Sequence, residues 1–182
     1  MPRVITGTAR GRVLLAVPGT GTRPTSANVK EAVFSSIQFE LQDRNVLDLF
    51  AGTAQMGIEC LSRGSARATF VERDREALRV VRENVKSTGF TDRSTIIPGD
   101  ALVYLERCRE QYGIIFLDPP YATDLLEKCL EKVIEFDILA VGGIIVCESA
   151  SEKEFPPMPA PYRVYRQHRY GQRKITLVTR EA

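Results

Sequence analysis

The sequence predicts an α/β fold, in which a mainly parallel β-sheet is covered by helices on both faces. Between residues 45 and 148, short apolar runs alternate with segments of helical periodicity, which is the pattern of right-handed βαβ crossovers. The run 114–117 is uncharged, as expected of a central strand buried on both faces. After the proline-rich loop 155–161, two β-rich segments flank Tyr170-Gly171-Gln172 and predict an antiparallel hairpin at the sheet edge.

The individual elements follow from local signals. Strands are predicted at 46–50, 68–72, 94–97, 114–118 and 143–148, and the C-terminal hairpin adds 162–169 and 173–179, which makes a seven-stranded sheet. Helices are predicted at 26–41, 55–63, 74–87, 101–109 and 123–139. Asp74 can cap the third helix and Gly89 can end it, while Asn28 and Glu31 can form a capping arrangement at the first. A small N-terminal β-hairpin, 4–6 with 12–16, precedes them.

Size and composition indicate one domain over 1–182, with a basic N-terminal hairpin and loop at 1–25 and a core at 26–182. The chain has 182 residues and 43% hydrophobic content, which suits one well-packed unit. No apolar stretch is long enough for a membrane helix and no signal peptide is recognisable, so we expect a soluble, cytoplasmic monomer. Neither a metal site nor a disulfide framework is expected, because His168 is the only histidine and the four cysteines form no CxxC pair.

Charge is distributed unevenly along the chain. The net charge is +2, but residues 1–30 and residues 155–182 each carry +5, which leaves −8 for the middle. Two basic ends around an acidic core suggest that the ends meet a polyanion. Basic side chains that simply solvate two surface hairpins are the alternative.

The segment Asp118-Pro119-Pro120-Tyr121 follows the predicted central strand and is the strongest indication of chemistry. Ligands of open α/β sheets bind beyond the carboxyl ends of the strands. The prolines cannot continue the sheet and stiffen the turn, which fixes the Asp118 side chain, the Pro119 carbonyl and the Tyr121 ring relative to one another. Acceptors beside a flat stacking surface suit a planar amine. On this segment alone, an ordinary Pro-Pro loop fits equally well.

Acids recur at the ends of the other strands. Asp48, Glu72, Asp100 and Asp118 lie at or near the carboxyl ends of the first four predicted strands. Glu72 lies 20 residues after Gly52, the spacing at which a carboxylate binds ribose hydroxyls in this architecture. Such acids also cap helices, and Asp100 could do only that. Four in succession along one edge favour a ligand site.

The turn after the first strand is rich in small residues and lets a ligand approach the backbone. A P-loop would need lysine where Ile58 stands, and the dinucleotide pattern GxGxxG is absent, which argues against an NAD-linked enzyme. The acids and the turn suit a cofactor with a ribose, an adenine and a positive charge but no phosphate. S-adenosylmethionine has all three properties.

Seven segments carry a resemblance to one family over nearly the whole chain. They are RVITGTARGR at 3–12, TRPTSANVKEAVF at 22–34, DLFAGT at 48–53, GIECLSRGSA at 57–66, FVERD at 70–74, LDPPY at 117–121 and RYG at 169–171. On these segments the sequence resembles the class I methyltransferases, which have a Rossmann-like fold, and more closely the RsmD type of 16S ribosomal RNA guanine-N2 methyltransferases. One departure is Ala54-Gln55, which stands where the family usually has Gly-Ala beside the methionine part of the cofactor.

The resemblance implies a role for each matching residue. The residues implied at the methionine part of the cofactor are Asp48, Phe50, Ala51, Gly52 and Thr53. Those implied at its ribose and adenine are Glu72, Arg73, Asp100 and Ala101. Asp118 and Pro119 would hold the target amine, with Tyr121 against its base. The residues expected to contact RNA or close the pocket are Arg10, Arg12, Arg23, Pro24, Thr25, Arg169 and Tyr170.

The resemblance therefore implies methyl transfer from S-adenosylmethionine to the N2 amine of a guanine in 16S ribosomal RNA, in an assembled or partly assembled small ribosomal subunit. A DNA adenine-N6 or cytosine-N4 methyltransferase needs the same amine chemistry, but the chain shows no target-recognition insertion. A non-catalytic RNA-binding module is a second alternative. The intact acids count against it, because a pure binder has no need of the whole set.

Overall fold

The fold is built on one seven-stranded mixed sheet, in the order β3-β2-β1-β4-β5-β7-β6. The structure, a computed structural model, describes residues 1–19 and 25–182. The strands are β1 (Asn45–Asp48), β2 (Arg67–Glu72), β3 (Ser94–Pro98), β4 (Tyr112–Leu117), β5 (Leu139–Ala150), β6 (Tyr162–Tyr170) and β7 (Arg173–Arg180). Strands β1 to β5 run parallel, whereas β7 is antiparallel to β5 and to β6. The predicted parallel sheet and C-terminal hairpin are confirmed.

Within residues 1–19 and 25–182, five α-helices connect or precede the strands of this sheet. They are α1 (Ala27–Ile37), α2 (Gln55–Ser62), α3 (Arg75–Ser87), α4 (Ala101–Arg107) and α5 (Leu125–Glu135). Ser26 caps α1, because its Oγ accepts from the Val29 N–H, so the predicted cap at Asn28 is wrong. The predicted last helix is also too long. Asp137 takes a φ of 55° just beyond α5, and β5 begins at Leu139, within the range predicted to be helical.

Helices cover both faces of the sheet. The first face carries α1, α2 and α3, which pack against inward residues such as Ile114 and Phe116. On the opposite face, α4 and α5 pack against residues such as Leu47 and Ile115. Alternate residues of the central strands thus enter two separate cores. This explains why the run 114–117 is apolar throughout.

The N-terminal segment, residues 1–19, does not form the predicted β-hairpin. Only one isolated antiparallel bridge joins Arg3 to Val13 in the described part of this region. The backbone N–H groups of Ile5 and Thr6 donate to the carboxylate of Glu59 on α2 rather than to an opposing strand, at 2.9 and 3.1 Å for their shortest bonds. Their hydrogen-bonding capacity is used by a side chain, so a regular ladder cannot propagate.

A buried asparagine on α3 ties the N-terminal segment to the turn after β1. The side-chain oxygen of Asn84 accepts from the Leu15 N–H at 2.8 Å, and its amide donates to the carbonyls of Leu15 at 3.1 Å and Thr53 at 2.8 Å. The Ser62 hydroxyl anchors the other side of the segment through Thr6 and Ala9. Both attachments hold the segment against α2 and α3 without a sheet.

Among the described residues, none of the helices has the length and apolar character that crossing a membrane requires.

Candidate active site

Four acids lie at the carboxyl ends of adjacent parallel strands. We call this side of the sheet, where the parallel strands end, the strand-end edge. Asp48 ends β1 and Glu72 ends β2, while Asp100 and Asp118 follow β3 and β4. The strand order β3-β2-β1-β4 places them in the order Asp100, Glu72, Asp48, Asp118. The parallel topology thus brings together the strand-end acids on which the sequence interpretation depends.

Glu72 and the turn after β1 form one hydrogen-bonded unit. The Gly52 N–H donates to Glu72 Oε2 at 2.9 Å, and the Asp74 N–H donates to Glu72 Oε1 at 3.0 Å. Gly52 has a φ of 58°, and a Cβ at this position would meet no atom within 4 Å. The backbone is therefore open to a close approach while a carboxylate stands beside it. This arrangement fits a ligand with a ribose and no phosphate.

Asp48 is a buried carboxyl group at the end of β1. Its side chain is 3% exposed, and Asp48 Oδ2 accepts from the Gly57 N–H at 3.2 Å. The pKa of Asp48 is raised to about 7, mainly by burial; the bond from Gly57 opposes this shift and the neighbouring Glu72 carboxylate adds to it. The protein thus keeps an acid in a site where its charge is unfavourable, as functional sites commonly do.

We expect Asp48→Asn to stabilise the fold more at high pH than at low pH. A carboxyl whose folded pKa lies above its unfolded value costs stability as pH rises from about 4 to about 7, and asparagine lacks this cost while still accepting from Gly57. The stability difference between variant and wild type should grow by about 2 kcal/mol between about pH 5 and about pH 8. Urea unfolding at both pH values measures it. A difference that is independent of pH would contradict the assigned shift.

Asp74 and Asp100 both cap helices. Asp74 Oδ1 accepts from the Ala77 N–H at 2.8 Å, and Asp100 Oδ1 accepts from the Leu102 and Val103 N–H groups at 2.9 and 3.1 Å. The capping interpretation therefore holds for both residues. A contact between Asp100 and an adenine amine stays a prediction, since it would use the same carboxyl in addition to its capping bonds.

The departure from the family pattern at Ala54-Gln55 has a structural consequence. Ala54 has a φ of 66°, in the left-handed region that favours glycine, and directly precedes α2. Alanine in this conformation costs about 1 kcal/mol relative to glycine. Ala54 and Gln55 are both buried, so the larger side chains are accommodated inside the fold rather than in solvent.

The turn after β4 forms a corner at the strand-end edge, made of Asp118, Pro119 and Tyr121. Pro119 is buried, whereas the Tyr121 side chain is 40% exposed. The Tyr121 hydroxyl donates to Glu148 Oε1 at 2.7 Å, which fixes the ring at the mouth of the site. Asp118 itself is among the solvent-exposed residues. Its carboxyl is nonetheless partly desolvated by the surrounding protein, which raises the pKa of Asp118 well above its usual value, with a further contribution from the Glu148 charge.

Sequence reasoning missed two residues that lie beside this corner. Glu148 on β5 and Arg173 on β7 form an ion pair of 3.1 Å, and both contribute to the electrostatics of Asp118. An acid directly after the apolar run 144–147 is the signal that could have identified Glu148. Arg173 could not have been found without the strand pairing, which sets Glu148 opposite Ile175 and Ala150 opposite Arg173.

The residues predicted to contact RNA are divided between two places. Arg169 is exposed and Tyr170 half-buried at the end of β6, and Tyr170 pairs with Arg173 near the strand-end edge. The exposed Arg10 lies elsewhere, because the adjacent Thr8 and Ala9 N–H groups bond to Ser62 at the far end of α2. That helix separates it from the edge by about 12 Å.

Arg12 is exposed, and its carbonyl accepts from the Val4 N–H within the same N-terminal segment. Thr25 is half-buried just before α1. The remaining predictions in this region, Arg23 and Pro24, lie outside the described residues. Three of the predicted cofactor residues, Ala51, Thr53 and Ala101, are buried at the strand-end edge, while Phe50 is half-buried and Arg73 exposed.

A seven-stranded sheet of this order, with acids at its strand ends and an open glycine turn, defines a methyltransferase-like α/β fold. The family model described as Conserved hypothetical protein 95 matches residues 2–179. The chain belongs to this family, the RsmD/YlbH family of S-adenosylmethionine-dependent methyltransferases.

Individual relatives extend over nearly the whole chain. YlbH from Bacillus subtilis (strain 168) is 38% identical over 172 residues, which cover 93% of this chain and 94% of YlbH. Ribosomal RNA small subunit methyltransferase D from Escherichia coli (strain K12) is 33% identical over 180 residues, 99% of this chain and 90% of that protein. The solved structure of yhhF from Escherichia coli superposes with a TM-score of 0.89 at 33% identity, covering 100% of this chain and 98% of yhhF.

Proposed function

We propose that the protein transfers a methyl group from S-adenosylmethionine to the exocyclic N2 amine of a guanine in 16S ribosomal RNA, within an assembled or partly assembled small subunit. The observation that supports this most directly is the corner of Asp118, Pro119 and Tyr121, which stands beside the strand-end acids. Kinship with a ribosomal RNA small subunit methyltransferase supports the choice of substrate.

The residues available to hold the cofactor fit its chemistry. Glu72 offers acceptors for ribose hydroxyls beside the open backbone at Gly52, and Asp48 places a carboxyl near the region where a cation would lie. Arg73, Asp100 and Ala101 would contact the adenine. When bound, S-adenosylmethionine supplies a methyl group on a cationic sulfur, and the bond between the methyl carbon and the sulfur breaks with its electron pair remaining on sulfur.

The corner would prepare the amine for attack. The lone pair of a guanine N2 nitrogen is delocalised into the ring, which makes this nitrogen a poor nucleophile. Asp118 and the Pro119 carbonyl would accept its two hydrogens, so the nitrogen can become more tetrahedral and direct its lone pair at the methyl group. After attack, one N–H proton passes to the Asp118 carboxylate and its electron pair stays on nitrogen.

Tyr121 would hold the base in this position. Its partly exposed ring can stack on a guanine that has left its helical stack. Such stacking contributes about 1–3 kcal/mol per base. The bond from its hydroxyl to Glu148 keeps the ring in one orientation before the RNA arrives. Orientation of the base is thus the main contribution of Tyr121.

The exposed arginines of the N-terminal segment would form an outer contact with RNA phosphates. Replacing Arg10 and Arg12 together with alanine should weaken small-subunit binding and reduce the slope of log affinity against log salt by about 1 for each phosphate group that the variant no longer binds. Arg107→Ala is the matched control, because this exposed arginine ends α4 on the opposite sheet face. Unchanged salt dependence in the double variant would remove these residues from the RNA interface.

Identification of the methylated nucleoside tests the proposed function. The protein is incubated with methyl-labelled S-adenosylmethionine and, separately, with small ribosomal subunits, naked 16S ribosomal RNA and duplex DNA. Labelled N2-methylguanosine from the subunits or the RNA is the expected product. Labelled N6-methyladenine or N4-methylcytosine from DNA would select the DNA methyltransferase, and RNA binding without any labelled nucleoside would select the non-catalytic module.

A further inference from the structure

Glu148 is a buried acid inside an otherwise apolar part of the sheet. It lies on the central strand β5 and is 6% exposed, directly after the buried residues 144–147. Carboxylates are rarely buried this far without a specific partner, because loss of hydration disfavours the charge. Packing alone does not account for an acid here, so its contacts are informative.

Two groups from two different segments contact the Glu148 carboxylate. The Tyr121 hydroxyl donates to Oε1 at 2.7 Å from the turn after β4, and Arg173 Nη1 on β7 lies 3.1 Å from the same oxygen. The Glu148 charge also acts on the nearby Asp118 carboxyl. Glu148 therefore holds the predicted stacking ring through a hydrogen bond and influences the predicted amine acceptor through its charge.

We infer that Glu148 is a positioning residue for the proposed methyl transfer, which sets the geometry of Tyr121 and the charge of Asp118. This inference rests on the proposed function and deepens it, because Glu148 itself is not placed against the substrate. It acts through two neighbours that are. The conformation of the corner would then be established before substrate binding, which is the condition for precise placement of an amine.

The charge effect follows from the ionisable groups that act most strongly on Asp118. Glu148 and Asp48 each place a like charge near it and favour its protonated form, while Arg173 places an opposite charge near it and favours the carboxylate. The neighbouring Tyr121 is affected in the same way: desolvation and Glu148 raise the pKa of its hydroxyl, and Arg173 lowers it. Glu148 thus increases the affinity of Asp118 for the proton that the methylated amine must release, and Arg173 limits this effect.

The test compares the titration of Asp118 in the wild type and in three variants. Carbon-13 NMR of labelled aspartate carboxyls, with the Asp118 signal assigned by its loss in Asp118→Asn, gives the titration midpoint in the absence of substrate. In Glu148→Gln the midpoint should fall, because one like charge is removed. In Arg173→Met it should rise, because the opposing charge is removed. Glu127→Gln on α5, whose partner is Lys153, is the matched control and should leave the midpoint in place.

Turnover gives an independent reading. In Glu148→Gln the kcat plateau should fall by about 10- to 100-fold, with the acidic limb of the pH profile moved to lower pH and the dissociation constant of S-adenosylmethionine unchanged. A uniform loss with an unmoved limb, or an Asp118 midpoint equal to that of the wild type, would overturn the inference. If wild-type protein forms no N2-methylguanosine, the proposed function fails instead, and the NMR titration still reports on the charge effect. Arg173→Met keeps that titration testable if Glu148→Gln does not fold.

Discussion

Asp118→Asn will lower kcat for N2 methylation by about 10²- to 10⁴-fold and leave the affinity for S-adenosylmethionine within about threefold of wild type. Asparagine has nearly the same shape, but its amide cannot take up the proton that the amine releases. It can also present an NH2 group where the amine needs an acceptor. Desolvation of its carboxyl and the Glu148 charge already raise the pKa of Asp118, so this residue is suited to receive a proton.

Single-turnover kinetics and calorimetric titration of the cofactor separate the two effects. Asp124→Asn is the matched control, because Asp124 lies a few residues further along the same loop, is exposed and pairs only with its helix neighbour Lys128 in the described contacts. It should keep both turnover and cofactor affinity. A parallel loss of turnover and cofactor affinity in Asp118→Asn would show that Asp118 supports the fold of the site rather than the reaction.

Glu59→Ala will lower the free energy of unfolding by about 3–5 kcal/mol, the largest stability effect that we expect from one substitution. Glu59 is 0% exposed and pairs with Lys30 at 3.4 Å and with Arg63 at 3.0 Å. It also accepts from the backbone N–H groups of Ile5 and Thr6. Removing its carboxylate leaves buried Lys30 without its counter-charge and two backbone donors without their acceptor.

Urea unfolding measures this effect, and Glu76→Ala supplies the comparison. Glu76 forms an exposed ion pair with Arg79 on α3, and pairs of this kind contribute about 0–1 kcal/mol. The N-terminal segment should also lose its protection from amide hydrogen exchange in Glu59→Ala before the sheet does, because Glu59 anchors it. A loss of less than about 1 kcal/mol would mean that the segment is held by its apolar contacts alone.

The sheet and its functional edge could be predicted because their signals are local. An uncharged run such as 114–117 specifies a buried strand by itself, and the acid that follows each strand can be located without knowledge of the tertiary structure. Once the βαβ pattern fixes a parallel sheet, the strand-end acids must share an edge. This is why the positions of Asp48, Glu72, Asp100 and Asp118 followed from the sequence.

Two of the misses, the N-terminal hairpin and Glu148, have a different cause, which is contact with residues distant in the sequence. The hairpin predicted at 4–6 and 12–16 has suitable strand residues, but Glu59 takes up the N–H groups of Ile5 and Thr6 from 54 and 53 positions away. Glu148 depends in the same way on the partners that β7 and the turn after β4 bring to it. No local pattern reports such contacts, since the fold creates them.

The decisive experiment is a structure of the protein with S-adenosylhomocysteine and a guanine-containing fragment of 16S ribosomal RNA. We expect a guanine that has left its stack beside Tyr121, with its N2 atom about 3 Å from both a carboxyl oxygen of Asp118 and the Pro119 carbonyl oxygen, and with the cofactor sulfur facing N2. A guanine bound elsewhere, or an N2 atom separated from the sulfur by the Asp118–Tyr121 turn, would contradict it.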